Sequence, residues 1–146
     1  MRSVILLCCL IFTFTISGQS FVERYKVKSV YIGRMAPIDF KSNLIARVYK
    51  TRISEHYKTN GVNFAGHYSF VFWGCGSPCE SSAIVDVITG KVYSGPDSAF
   101  GYRFNRDSRY VVVNQRDSVN DNPWTAVYPE ERWCWSEKRK KFVQLN

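Results

Sequence analysis

The chain is predicted to fold as an α+β domain, with an N-terminal helix packed on an antiparallel β-meander. Three observations point there. Apolar residues recur at helical spacing from Phe40 to Tyr57, and Gly61 supplies a stop. From Phe64 onward, short β-prone runs are separated by turn residues. Aromatic residues make up 16% of the chain, a content that favours strands and a well-packed core. An all-β domain with the helix as a lid is the alternative.

Residues 21–32, FVERYKVKSVYI, alternate in part and predict a first strand. Asp39 suits a helix cap, with the helix beginning near Phe40. Phe40, Leu44, Ile45 and Val48 then share one face; Ile53 and Tyr57 extend it, or follow a break near Thr51. In HYSFVFW, Tyr68, Phe70 and Phe72 fall on one side and Ser69, Val71 and Trp73 on the other. Both sides are largely apolar, which predicts a central strand covered on both faces. Ala83–Ile88 should pair with Lys91–Tyr93 through Thr89 and Gly90. Tyr102–Phe104 and Tyr110–Asn114 predict a second hairpin. Residues 115–130 read as a polar loop with room for one short strand. A last hairpin turns at Ser136–Lys140.

The ends and the charge bound the function class. Arg2, an uncharged apolar run from Val4 to Ile16, and the small residues Ser17 and Gly18 have the layout of a secretory signal peptide. The run is shorter than the roughly 20 residues a membrane span needs. Residues 1–18 are therefore expected to be removed, leaving 19–146 as one globular domain, periplasmic or secreted and not membrane-spanning. No linker, repeat or low-complexity stretch divides it. The formal net charge is +8. In an exported chain this favours an anionic cell-wall polymer, lipid head groups or an acidic protein face over nucleic acid, or serves only solubility.

Of the five cysteines, Cys8 and Cys9 leave with the leader, and Cys75, Cys79 and Cys134 remain. The stretch GHYSFVFWGCGSPC joins the apolar strand to a glycine-rich cysteine pair. Export favours a local disulfide between Cys75 and Cys79, across a turn of Gly76, Ser77 and Pro78. Zinc held by His67, Cys75, Cys79 and Cys134 is a second reading. A Cys75 nucleophile with His67 or His56 as base is a third. A strand rises roughly 3.3 Å per residue, which separates His67 from the cysteine turn by about 20 Å and weighs against both. No catalytic residue, metal site or cofactor is assigned. Asp86, inside the apolar AIVDVI, needs His67 or an arginine as partner if it points inward; otherwise it faces solvent at the hairpin end. Trp133 and Trp135 share a face, as core or as a sugar platform, with Cys134 opposite. Arg103, Arg106 and Arg109 in one turn, and Lys138–Lys141 in another, form possible anion patches or merely solvated turns.

NFAGHY at 63–68, WGCG at 73–76, Cys79 and TGKVY at 89–93 together resemble the hallmark of a family of small exported bacterial proteins of unknown function. The YRFNRDSRYVVVN segment is similar to that family's next hairpin. The resemblance implies export and the two-cysteine turn, and carries no activity. Two classes of function are expected. The first is a non-enzymatic binding protein of the inhibitor or immunity type, acting on an envelope or secreted protein. The second is an enzyme or metal-binding protein using His67, Cys75 and Cys79. Binding candidates are His67, Tyr68, Trp73, Gly74, Gly76 and Asp86, with the rim around the cysteine turn foremost.

Overall fold

A computed structural model describes residues 23–116 and 126–146. The leader at 1–18, its cut site, and the middle of the 115–130 loop lie outside the described residues.

Among the described residues, two short helices precede seven strands: α1 (Leu44–Val48), α2 (Lys50–Asn60), β1 (Tyr68–Gly76), β2 (Cys79–Asp86), β3 (Val92–Ser94), β4 (Tyr102–Phe104), β5 (Tyr110–Val113), β6 (Glu131–Ser136) and β7 (Lys141–Leu145). The strands form two antiparallel sheets, ordered β1-β2-β3 and β4-β5-β6-β7. The molecule is thus mostly β with a small helical part, and the single meander gives way to two sheets packed face to face. The reason lies in β1. Its inward alternation serves two cores at once. Val71 and Trp73 join Ala46, Ile53, Tyr57, Ala83 and Val85 beneath the helices. Tyr68 and Phe70 join Phe64, Ile84, Val111, Val113 and Trp135 between the sheets. The Phe70 and Phe104 rings stack across the sheets with centroids 4.6 Å apart.

β1 is buried on both faces as expected, but it is an edge strand and β2 is central. Asn63 covers that edge. Its side-chain amide donates to the Phe70 carbonyl at 3.0 Å, and its side-chain oxygen accepts the Phe70 N–H at 2.6 Å. One side chain thereby replaces a missing strand.

The helix begins later than expected. Asn43, with φ −153° and ψ 148°, caps α1 by accepting the Ile45 N–H. Asp39 opens a separate turn: its carbonyl accepts the Ser42 N–H at 3.1 Å, and its own N–H is bonded across to the Gly90 carbonyl at 2.9 Å. Its carboxylate instead closes a local turn by accepting the Lys41 N–H at 3.0 Å. The break falls at Tyr49 and re-phases the helix. Leu44 and Val48 are consequently exposed at 66% and 63%, and Ala46, Ile53 and Tyr57 are buried. Gly61, at φ +57°, ends α2.

The strand expected at 21–32 does not form among the described residues. A 3-10 turn at Glu23–Tyr25 leads into a single bridge from Lys26 to Ser108. Beyond it the chain is held by isolated bonds such as Tyr31 N–H to the Gly66 carbonyl, 2.7 Å. The Asn63–Phe64 segment already covers the β1 edge, so this segment finds no open strand there. The three predicted hairpins are present: β2–β3, β4–β5 and β6–β7.

Candidate functional site

The residues singled out in GHYSFVFWGCGSPC separate to opposite ends of β1. Tyr68 pairs with Asp86 at one end, and Gly76 pairs with Cys79 at the other. At roughly 3.3 Å per residue, Cys75 lies about 25 Å along the strand from His67. His67 and the two cysteines therefore do not share a site.

At the hairpin tip, Cys75 and Cys79 form a disulfide with Cα atoms 5.1 Å apart. The tip from Gly74 to Pro78 is exposed. A Cβ built on Gly74 or on Gly76 meets no atom within 4 Å, so both glycines border open space. Gly76 also takes φ +134°, where a side chain would be strained. Ser81 donates its hydroxyl hydrogen to Cys75 Sγ at 3.4 Å. Trp73, one residue before the tip, turns away from it. It is 5% exposed and packs on Tyr49, ring centroids 4.8 Å apart. The surface of the tip is thus mainly backbone, proline ring and sulfur.

The other end of β1 gathers a polar cluster. The Tyr68 hydroxyl donates to Glu137 Oε2 at 2.9 Å and accepts from Lys140 Nζ at 3.1 Å. Lys140 Nζ also reaches Glu137 Oε2 at 2.7 Å, and Trp135 Nε1–H donates to Glu137 Oε1 at 2.9 Å. His67 Nε2 stands 3.8 Å from Glu137 Oε1. The β6–β7 turn makes this possible: Lys140, at φ +49°, folds its side chain back over Tyr68. Burial pushes the Tyr68 phenol well above its ordinary value; the Lys140 bond opposes this and the Glu137 bond adds to it. Burial works against ionisation of Glu137, but the donors Lys140, Tyr68 and Trp135 outweigh it and hold the carboxyl below its ordinary range. Burial likewise opposes the charge on Lys140, and its bonds to Glu137 and Tyr68 override that and raise it well above normal. The cluster is internally satisfied and keeps its phenol neutral. That is the chemistry of a lock rather than of an activated nucleophile.

Asp86 is 6% exposed and, among the described residues, takes neither His67 nor an arginine as partner. Its Oδ1 accepts the N–H groups of Ile88 at 2.9 Å and Thr89 at 3.3 Å, closing the β2–β3 turn. Trp135 is fully buried and Trp133 packs on the same core, so the pair is core rather than an exposed platform. Cys134 is a free, half-buried thiol. Burial raises its pKa, with Arg109 opposing, which leaves it a poor nucleophile. Among the described residues, no group of three or more His, Cys, Asp or Glu is placed to hold a metal ion.

Glu137 holds the second cluster together, and little in the sequence read alone marks it. Its partner Tyr68 lies 69 residues before it. The one available cue was a lone acid in the basic turn SEKRKK. Comparison with protein-family models, curated proteins and solved structures finds no match.

Proposed function

We propose that the protein is an exported, non-enzymatic binding protein of the inhibitor or immunity type, presenting the stapled β1–β2 tip to an envelope or secreted protein. The observation that carries this reading is the exposed tip at 74–78, fixed by the Cys75–Cys79 bond. A loop ordered before binding loses less entropy on association. Glycines facing open space let a partner's backbone approach closely. Export rests on the layout of residues 1–18, and the disulfide and the family resemblance support it. Among the described residues, no helix is long and apolar enough to cross a membrane.

A photo-crosslinking residue at Ser77, introduced in the producing cell, tests the reading. A discrete adduct with one envelope or secreted protein is expected there and not from the same residue at Thr59. Adducts from Thr59 with none from Ser77 would move the binding surface elsewhere.

A second reading has its own observation. The β4–β5 and β6–β7 turns lie at the same end of one sheet. They put Arg106, Arg109, Lys138, Arg139 and Lys141 at one end of that sheet, which supports an anionic cell-wall polymer as a further partner.

A further inference from the structure

A third surface lies apart from both the tip and the basic turns. Residues 35–40 run alongside α2 and leave two adjoining clefts that share Ile38 and Phe40. One, about 870 Å³, is bordered by Lys41, Arg47 and Lys50. The other, about 350 Å³, is bordered by Met35, Tyr57 and Lys58. Both volumes fall in the range of roughly 300–1,000 Å³ usual for small-ligand sites. Lys50 and Lys58 mark the two ends along α2, about 12 Å apart at 1.5 Å per residue.

The wall of this groove is pinned from behind. Ala36 N–H donates to the Val87 carbonyl at 2.7 Å, and the Tyr57 hydroxyl donates to the Ala36 carbonyl at 2.8 Å. Asp39 N–H is bonded to the Gly90 carbonyl at 2.9 Å. The groove is therefore preformed. Its polarity runs one way. Three exposed cations, Lys41, Arg47 and Lys50, bunch around Phe40, with Lys50 Nζ 5.8 Å from the ring centre. None of the three is ion-paired with an acid among the described residues. The lining carboxylate, Asp39, is turned to the Lys41 N–H. Beyond Phe40 the lining becomes apolar through Ile38 and Met35 until Lys58.

We infer that this groove binds a single-chain anionic amphiphile, its carboxylate or phosphate head among Lys41, Arg47 and Lys50 and its alkyl chain along Ile38 toward Met35. The cations supply charge complementarity that no side chain of the described fold fills, and the pinned apolar floor supplies the tail site.

Titration calorimetry of the protein, with its Cys75–Cys79 bond formed, tests this. The probes are decanoate and decyl phosphate below their micelle-forming concentrations. Controls are butyrate, a neutral decyl glycoside, decyltrimethylammonium and an acidic peptide with one aromatic residue. One-to-one binding of decanoate, decyl phosphate or both is expected, with every control roughly tenfold weaker or more. Reversing Arg47→Glu and Lys50→Glu together should weaken the bound amphiphile roughly tenfold. Both are exposed, so the fold should survive, and Lys28→Glu, at an exposed site away from the groove, should leave binding unchanged. The inference is overturned if neither anionic probe binds, if the neutral or cationic amphiphile binds as well, or if the double reversal has no effect. Tighter binding of the peptide would assign the groove to a protein partner and overturn it equally.

Discussion

Tyr68 shows how one side chain can tie two parts of the chain together. Its ring is fully buried, and its hydroxyl joins Glu137 and Lys140. Tyr68→Phe keeps the packing and removes one bond from each of Glu137 and Lys140, which keep their own pair, so stability should fall by about 1 kcal/mol in urea unfolding. An unchanged midpoint would mean the cluster adds nothing to the fold. The pH dependence follows with a definite sign. The Glu137 carboxyl sits below its ordinary 4.5 in the folded protein, so its contribution is present above that pH and is lost as pH falls through the folded value. Tyr68 and Lys140 are raised, so their contributions hold below about pH 10 and fade above it. Urea midpoints measured down to about pH 3 should show a steeper acid loss in the wild type than in Glu137→Gln. His67 and Tyr68 were legible as candidates because NFAGHY opens a strand. Their partners were not, since Lys140 lies 72 residues away and nothing local specifies which turn closes on which strand.

Elements show the same division between local and distant information. The hairpins were readable because each joins neighbouring β-prone runs through a local turn signal. Gly90 is the sharpest case. It takes φ +78°, and a Cβ there would overlap the Pro37 carbonyl oxygen. Gly90→Ala should cost about 3 kcal/mol by thermal or urea unfolding, because it strains the turn and pushes away the 37–39 segment docked on it. A loss under about 0.5 kcal/mol would contradict that docking. The division into two sheets was not readable. Alternation reports which residues share a face, but it does not report the strand beside it. The same limit explains why β1, apolar on both sides, looked central although Asn63 closes its edge. Asn63→Ala leaves the Phe70 N–H and carbonyl without that partner and should cost about 2 kcal/mol, with new self-association seen by light scattering. The helix start was misplaced for a comparable reason. Asp39 is a good cap in isolation, but the turn it opens closes at Ser42 and docks on the β2–β3 turn, and Asn43 caps the helix instead.

At the scale of the whole molecule, three surfaces are distributed over one layered frame: the stapled tip, the basic end, and the groove beside α2. Charge acts on them differently. Retention on an anionic polymer through Lys138, Arg139 and Lys141 should weaken as salt rises, because exposed charges are screened beyond about 10 Å at 0.1 M. Reversing those three residues should lower the salt needed for elution, and unchanged elution would remove the basic end as a polymer contact. Binding through the tip depends on shape and should change little. The disulfide closes a ring of few residues, so chain-entropy arguments assign it only about 2 kcal/mol of stability. Its removal should leave a folded protein whose tip is loosened. The most direct measurement of the central claim is therefore the affinity for the crosslinked partner of two folded proteins, the wild type and the Cys75→Ser/Cys79→Ser variant. The account predicts roughly tenfold or greater weakening in the variant, carried by lost preorganisation at 74–78. Equal affinity, with both proteins shown to be folded, would contradict it.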